Sequence, residues 1–342
     1  MKKLLRNTGI FLFPLIILMF LADWFLSSQL RNSRDDEFGV WNDIYDSKVN
    51  SDVVIYGSSR AMVHLDPRLI TDSLKVSAYN LGINGHNFRL QYFRHKELLK
   101  HNRKPGFIIH SVDMFTLVRR KDLFNMEQFL PYMLFNENMH QWVKPYLGFK
   151  KIDFYIPLIR YYGHFNAIAE AFNTAFGRHF SGNSTTRHLG FSGQNHLWND
   201  DLDKAERKFP DYRAIIDPES VRMFDKYLKE CLDSGIPIIL VYSPEYIEGQ
   251  KFVKNRNEIL NVFSMFSAKY NIPFLDYSND PISYKRAYFY NASHLNNVGA
   301  EIFTNKLISD IRKNDRIAHL IQSSKDEMHQ ASLSSEFIKM PK

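Results

Sequence analysis

The feature that most constrains this chain is an apolar, β-branched run, Val53–Tyr56, that ends in Gly57-Ser58-Ser59. Short apolar runs bounded by turn residues are typical of buried strands. A tight turn directly after such a strand brings its side chains to the carboxyl edge of the sheet, where open α/β sheets bind ligands. The segment therefore predicts a serine hydroxyl at that edge, in a position that suits a nucleophile.

Four more apolar runs predict strands, and helical patterns lie between or after them. The predicted strands are residues 53–56, 76–80, 107–112, 237–242 and 273–276, and the predicted helices are residues 88–101, a helix from 218, 252–270 and 298–311. Asp217 before Pro218 is typical of a helix start, because it offers an N-cap carboxylate and then proline at the first helical position. The alternation predicts an α/β fold with a doubly wound, mostly parallel five-stranded sheet covered on both faces.

A long connection follows the third predicted strand. About 100 residues separate that strand from Asp217, whereas a crossover needs only about a dozen. This insert, residues 114–216, is rich in aromatic side chains. It is either a set of extra helices packed on the core or a cap over the site, since it leaves from the carboxyl edge of the sheet. Within it, residues 181–199 are polar and contain glycine, which predicts a mobile loop.

The N-terminus predicts a membrane anchor. Lys2, Lys3 and Arg6 precede an apolar stretch, and a helix over residues 8–29 would extend roughly 33 Å, enough to cross a bilayer. The positive charges place the N-terminus in the cytoplasm and everything after the helix outside. Asp23 is expected near the outer interface, where it can reach water. A cleaved signal peptide is the alternative, although no small-x-small site follows the apolar run.

The chain thus divides into an anchor over 1–30, a polar stalk over 31–50, the α/β domain over 51–313 and a polar tail over 314–342 that is at most partly helical. The net charge of +7 is spread along the chain, so no nucleic-acid partner is expected. Cys231 is the only cysteine, which excludes an internal disulfide and a cysteine-rich metal site. The 13 histidines lack metal-ligand spacing, and Gly82 and Gly85 do not form a dinucleotide fingerprint. No metal or cofactor is therefore expected.

Polar residues with suitable chemistry follow several predicted strands and would converge at one edge of the sheet. They are Ser59, Asn84, Gly85, His86 and Asp113, together with His294 just before the last helix. A serine hydroxyl is a weak nucleophile that needs a base within hydrogen-bond reach and donors for the oxyanion that forms. In this hypothesis Ser59 supplies the hydroxyl and His294 the base, while the backbone N–H groups of Ser59 and Gly85 are the donors.

On these residues the chain resembles the SGNH (GDSL-like) hydrolase superfamily, in particular its membrane-anchored members linked to acylation of cell-surface polysaccharides. The resemblance covers residues 50–312 apart from the insert and implies a flavodoxin-like sheet. It makes Ser59 the nucleophile, places Gly85 in the oxyanion hole, and matches Asn291-Ala-Ser-His294 to the Asp-x-x-His block that carries the base. It also implies a cell-envelope glycan substrate on the periplasmic side of a bacterial inner membrane. The implied partner is a multi-pass membrane-bound O-acyltransferase.

Two residues depart from the pattern of this superfamily. Asn291 stands in place of the aspartate that orients the histidine, a change that costs about 10⁴ in rate in the serine-protease triad because the amide favours the wrong tautomer. Asn291 could still position His294 through its carbonyl; otherwise Asp276 or Asp280 could replace it, or Ser59 and His294 could act as a dyad. Asp113 stands where the superfamily has an asparagine, and a carboxylate there would repel an oxyanion unless it is protonated or turned away. Asn84 or Asn87 could then supply the missing donor.

Several candidates have a second interpretation. Ser59 could cap the helix after the first strand. Arg60, His86 and Asp113 are the candidates for substrate binding, but Arg60 could equally be an ion-pair residue and His86 a hydrogen-bonded loop histidine. The sequence predicts an extracytoplasmic serine-dependent O-acyltransferase or esterase that acts on cell-envelope polysaccharide through an acyl-serine. The alternative is a catalytically degenerate protein that binds glycan or scaffolds a polysaccharide-assembly complex.

Overall fold

The computed structural model describes residues 1–178 and 187–323, so residues 181–186 of the predicted loop and residues 324–342 of the predicted tail lie outside the described residues. The α-helices are α1 Lys2–Leu30, α2 Asp36–Tyr45, α3 Ser59–His64, α4 Pro67–Leu74, α5 Phe88–His101, α6 Glu137–Val143, α7 Phe165–Ala175, α8 Asp201–Lys208, α9 Pro218–Asp233, α10 Ile247–Gln250, α11 Arg256–Tyr270 and α12 Asn297–Lys313. The strands are β1 Val53–Tyr56, β2 Ala78–Asn80, β3 Phe107–Val112, β4 Ile238–Tyr242, β5 Phe274–Asp276, β6 Phe289–Asn291 and β7 His294–Leu295. Short 3₁₀ helices cover Met126–Tyr132, Lys151–Phe154, Ile159–Tyr161, Pro281–Tyr284 and Arg286–Tyr288.

The first five strands form one parallel sheet in the order β2-β1-β3-β4-β5. This is the order of doubly wound, flavodoxin-like sheets, in which the chain reverses direction between β1 and β3 and leaves a crevice at the carboxyl ends. The prediction of a five-stranded parallel α/β sheet is confirmed, and its strands differ from the predicted ones by at most two residues at the start. Strands β6 and β7 form a separate antiparallel pair.

Both faces of the sheet are covered because successive side chains of a strand point to opposite sides. Ile55 of β1 belongs to an apolar cluster that includes residues of α3, α4 and α12. The next residue, Tyr56, faces the other side, where its ring contacts His95 of α5 and Tyr227 of α9. The central strands are fully buried, which explains their continuous apolar runs.

Helix starts follow the predicted capping chemistry. Asp217 Oδ2 accepts the Ser220 N–H at 2.9 Å, with Pro218 as the first residue of α9. The predicted helix over 252–270 begins later, at Arg256, because α10 and a turn precede it. Residues 315–323, the start of the predicted polar tail, are helical. Ile317 in this helix is buried in the same apolar cluster as Ile55, so apolar side chains anchor this part of the tail.

The chain forms two compact units, Met1–Asn42 with Arg120–Thr186, and Asp43–Arg119 with Arg187–Lys342. The sheet and the segments that follow its strands belong to the second unit. Residues 187–199, part of the predicted mobile loop, are hydrogen-bonded to the rest of this unit at several points. Leu189 O accepts from Asn80 N, Ser192 N donates to Met62 O, and Asn199 N donates to Tyr290 O. Backbone pairing of this kind holds a segment that its polar composition alone would leave loose.

The first unit contains α1, α6 and α7. Residues 10–30 of α1 are long and apolar enough to cross a membrane by length and composition. Asp23 of this helix does not reach water as expected: it is buried, and both of its oxygens accept from the Arg160 guanidinium, at 2.7 and 2.8 Å. Helix α2 lies in the predicted stalk, and its Trp41 is fully buried and donates to Gln128 Oε1 at 2.9 Å.

Candidate active site

Ser59 is presented by a strand–turn–helix junction. Gly57 follows β1 with φ +149°, and a Cβ at this position would lie 2.6 Å from the Ser111 carbonyl oxygen. The turn therefore requires glycine. Ser58 is the N-cap of α3, and its Oγ accepts the Arg60 N–H at 3.3 Å. Because Ser58 caps the helix, the Ser59 hydroxyl does not.

The structure brings Ser59 and His294 together across 235 positions of sequence. The Ser59 Oγ lies 2.8 Å from Nε2 of His294, and both residues are half-buried. His294 begins β7, which packs beside α3, and α12 follows directly. A hydroxyl within hydrogen-bond distance of an imidazole nitrogen is the arrangement that nucleophilic catalysis needs.

Asn291 fixes the tautomer of His294. Its Oδ1 lies 2.9 Å from Nδ1 of His294 and also accepts the backbone N–H groups of Ser293 and His294, at 3.1 and 3.0 Å. A backbone N–H can only donate, so the atom that faces both must be the oxygen of the amide. Nδ1 therefore carries the proton, and the Nε2 lone pair faces the Ser59 hydroxyl.

The surroundings keep His294 neutral. Burial and the positive charge of Arg60 lower the pKa of His294 to about 4, against a smaller opposing effect of Glu245. The Tyr290 ring stacks on the imidazole with a centroid separation of 5.3 Å and an interplanar angle of 11°. The alternatives to Asn291 have other partners: Asp276 Oδ1 accepts from Ser278 N, and Asp280 Oδ1 accepts from Ile282 N.

The loop after β2 runs beside the turn that carries Ser59. Ile83 N donates to the Gly57 carbonyl at 3.0 Å, and a Cβ on Gly82 would lie 2.5 Å from the backbone nitrogen of Met62 in α3. Asn84 and Gly85 follow immediately as a turn, in which Gly85 has φ +71°. Asn87 Nδ2, from the same loop, donates to the Val118 carbonyl at 2.8 Å.

Asp113 supports the turn that carries the serine. It is buried, one carboxylate oxygen accepts the hydroxyl of Ser58, and the other accepts the Phe115 N–H at 2.7 Å. The Asp113 N–H donates in turn to the Thr116 hydroxyl at 2.9 Å. Both carboxylate oxygens of Asp113 therefore accept hydrogen bonds, and one of these bonds holds Ser58, the residue before Ser59.

The buried position of Arg60 favours the ion-pair interpretation over a substrate clamp. Its Nη1 lies 2.9 Å from Glu245 Oε1, its Nη2 donates to the Ser243 carbonyl, and its guanidinium stacks 4.5 Å from the centroid of the Tyr242 ring. Burial favours the neutral form of Arg60, but Glu245 and its neighbours raise the pKa of Arg60 on balance. His86 is also buried, and its carbonyl accepts from Gln91 Nε2 at 3.1 Å. These contacts give the side chain of Arg60, like that of Asp113, partners inside the protein, whereas the contact of His86 with Gln91 is made by its backbone.

From the sequence, His64 is expected to be a hydrogen-bonded histidine rather than a substrate contact, but nothing in the sequence predicts that it contacts the strand that carries His294. His64 is buried in α3, its Nε2 accepts the Leu295 N–H at 3.0 Å, and its Nδ1 lies 2.8 Å from Ser243 Oγ. Burial and the charge of Arg60 lower the pKa of His64, in keeping with the free Nε2 lone pair that this contact requires. Ser243 directly follows β4, so the rule that identified Ser59 could also have found it; the stacking of Tyr290 has no sequence signal.

Among the described residues, no group of three or more His, Cys, Asp or Glu side chains could hold a metal ion. No family model and no curated protein match the chain. Two solved structures are similar to it at low identity. A proposed acylhydrolase from Bacteroides fragilis is 13% identical, with 76% of this chain and 86% of that chain covered and a TM-score of 0.34. A proposed platelet activating factor from Streptococcus pneumonia is 12% identical, with 90% and 99% covered and a TM-score of 0.36. At such low identity and TM-score, the likeness says nothing about activity. Conclusions about activity depend on the geometry of the site described above.

Proposed function

We propose that this protein is a serine-dependent O-acyltransferase or esterase. The single observation that carries the proposal is the 2.8 Å contact between the Ser59 Oγ and His294 Nε2, with Nδ1 of His294 bound to Asn291 Oδ1. That chain of contacts gives the serine a base in the correct tautomer. A hydroxyl within hydrogen-bond reach of a neutral imidazole, which a third group orients, is the arrangement that acyl transfer through a serine uses.

In the proposed reaction, the Ser59 hydroxyl gives its proton to Nε2 of His294 as Oγ attacks the carbonyl carbon of an acyl donor. The backbone N–H groups of Ser59 and Gly85, with the side chain of Asn84, would stabilise the oxyanion. Ser59 is the first residue of α3, where the backbone N–H has no acceptor within the helix. His294 returns the proton to the leaving oxygen, and an acyl-serine remains.

A sugar hydroxyl or water completes the reaction. It gives a proton to Nε2 of His294 as it attacks the acyl carbon, and His294 passes that proton to the Ser59 Oγ as the acyl–Oγ bond breaks, which releases an ester or a free acid. We propose a cell-envelope glycan as acceptor, a multi-pass membrane-bound O-acyltransferase as the source of acyl groups, and a periplasmic location for the sheet-containing unit. The apolar α1 and the superfamily resemblance support this part of the proposal. Protease accessibility in intact spheroplasts would test the orientation.

Labelling of the full-length protein with a fluorophosphonate tests the chemistry. We expect the wild-type protein to be labelled, and we expect labelling to be lost in both Ser59→Ala and His294→Ala. Ser264→Ala is a matched control, because Ser264 is exposed on α11 and bonds only to its own helix at the Leu260 carbonyl. Absence of labelling in a folded wild-type protein would contradict the proposal and favour the alternative, a degenerate protein that binds glycan.

A further inference from the structure

The exposed apolar part of α1, residues 10–21, is called its free part here, because the turns before it contain Lys2, Lys3 and Arg6. This free part is too short to cross a bilayer. Side chains of residues 10–21 are mostly exposed, whereas Asp23 and most of the residues from there to Leu30 are buried or half-buried. Twelve helical residues extend only about 18 Å, and the hydrocarbon core of a bilayer is about 30 Å thick. The remaining ~12 Å must be crossed by the part of α1 that packs inside its own unit.

That packed part of α1 is held by specific contacts. Arg160 forms the buried ion pair with Asp23, and the Ser27 hydroxyl lies 2.8 Å from the Tyr161 hydroxyl. Further along, the Phe25 ring lies 5.5 Å from the Phe172 ring of α7. If this stretch of α1 lies at membrane depth, the side chains that surround it must be compatible with lipid.

Helix α7 carries an apolar face that is exposed. Phe165, Ala169, Phe172 and Phe176 are spaced at i, i+4, i+7 and i+11, which puts them on one side of the helix. The three phenylalanines are 75%, 45% and 68% exposed. The buried residues of α7 are alanines, Ala167 and Ala171, and such small side chains allow close packing against α1.

A second group of exposed apolar side chains lies near the free part of α1. Tyr162 is 91% exposed, and Ile152 and Ile159 are exposed as well. With Met19 of α1, these three residues line an open groove of about 520 Å³. Lys150 lines the same groove, and lysine beside tyrosine is typical of the boundary between lipid tails and head groups.

We propose that these residues form one membrane-embedded surface, made of Phe165, Ala169 and Phe172 of α7, Phe176 directly after it, and Ile152, Ile159 and Tyr162. Its occupant is phospholipid, in the leaflet that the C-terminal end of α1 enters. Two observations carry this assignment: the surface continues the apolar surface of α1, and it supplies the apolar thickness that the free part of α1 lacks. Exposed apolar patches of this extent mark interaction sites rather than ordinary solvent-facing surface. The unit is thereby held at a fixed depth in the bilayer rather than tethered above it.

Quenching of a fluorescent label in the full-length protein tests the proposal. Single cysteines at Phe165, Phe172 and Phe176 are labelled with an environment-sensitive dye in vesicles of phosphatidylcholine and phosphatidylglycerol. Burial raises the pKa of the Cys231 thiol to about 12, so the native cysteine resists labelling. Asn166→Cys is the matched control, because Asn166 is exposed on the polar flank of the same helix.

We expect lipids with a nitroxide on the acyl chain to quench the dye strongly at the three phenylalanine positions and more weakly at the control. Aqueous iodide should quench the dye more strongly at the Asn166 control than at the three phenylalanine positions. Quenching of the phenylalanine positions by iodide alone would overturn the proposal. Protection from both quenchers would overturn it as well, because a second copy or another protein would then cover the surface. Each of the three positions is exposed, so failure of one variant to fold leaves two independent measurements.

Discussion

The Oδ1 atom of Asn291 accepts from Nδ1 of His294 at 2.9 Å, and the same oxygen accepts two backbone N–H groups. In a serine-protease triad an asparagine at the orienting position is damaging because the amide can present its NH₂ group to the histidine. Here the backbone donors hold the amide oxygen towards the ring. Asn291 therefore holds the tautomer in which Nε2 is free to accept a proton, but it brings no negative charge that would stabilise an imidazolium.

Asn291→Asp should increase activity. A carboxylate can accept the same three hydrogen bonds and adds a charge beside the imidazolium that forms during acyl transfer. We expect the rate of fluorophosphonate labelling to rise by about tenfold, equivalent to roughly one pKa unit of the imidazole. Asn291→Ala, which removes the acceptor, should label more slowly than the wild-type protein. A slower Asn291→Asp variant would contradict this account of the tautomer.

The rate of fluorophosphonate labelling should fall only at unusually acidic pH. Burial and Arg60 lower the pKa of His294 to about 4, so the neutral base is present above that pH and is protonated below it. Labelling rates of the wild-type protein should thus stay constant from neutral pH down to about pH 5 and fall about tenfold per unit below pH 4. In Asn291→Asp the carboxylate raises the pKa of His294, and the limb should move to higher pH. A wild-type limb near the ordinary histidine value of about 6.5 would contradict the proposed environment.

Asp113→Asn should also speed acylation. The amide can keep both contacts, because its oxygen can accept the Phe115 N–H and its NH₂ group can donate to the Ser58 hydroxyl. The change removes a buried negative charge that contacts Ser58, the neighbour of the proposed nucleophile Ser59, and such a charge opposes an oxyanion. We expect a rise of severalfold in the labelling rate with little change in thermal unfolding. A large fall in both quantities would instead mean that the carboxylate is essential to the turn.

Gly57→Ala should be far more damaging than Gly163→Ala. Both glycines have positive φ, but a Cβ at Gly57 would overlap the Ser111 carbonyl at 2.6 Å, whereas nothing lies within 4 Å of a Cβ at Gly163. Backbone strain alone costs about 1 kcal/mol, which is the expected effect at Gly163. Overlap and strain together should cost about 3 kcal/mol or more at Gly57. Thermal unfolding of the two variants measures the difference, and equal losses would contradict the packing of this turn.

His64 should act as a positioning residue for His294. His64→Phe leaves the buried Leu295 N–H without its acceptor, at a cost of about 1–3 kcal/mol in the free energy of unfolding. His64→Gln offers an amide oxygen and should recover part of this loss. We expect kcat for a chromogenic ester to fall more than KM rises in His64→Phe, because the base is displaced while the acyl site persists. Full retention of kcat in His64→Phe would mean that His64 only fills space.

Much of the sheet could be predicted from local pattern. Runs such as 107–112 are apolar throughout because a central parallel strand is buried on both faces, and capping at Asp217 is a local hydrogen-bond pattern. The pairing of Ser59 with His294 could be anticipated because loops at one sheet edge converge. The burial of Asp23 could not be anticipated, since its partner Arg160 is distant in sequence and has no periodic signal of its own.

The strand–helix alternation, the apolar N-terminal helix and the candidate pair Ser59 and His294 could all be identified from the amino-acid sequence. These features follow from residue types and from their spacing over short stretches of sequence. Asn291 presents its oxygen to His294, a near neighbour in sequence, and only the structure shows this orientation. Two further features depend on packing between distant parts of the chain: Arg60 is an internal cation, and His64 contacts β7. Each of these two contacts joins residues that are far apart in the sequence and exclude water from one another. Such contacts form only when the helices and strands pack together.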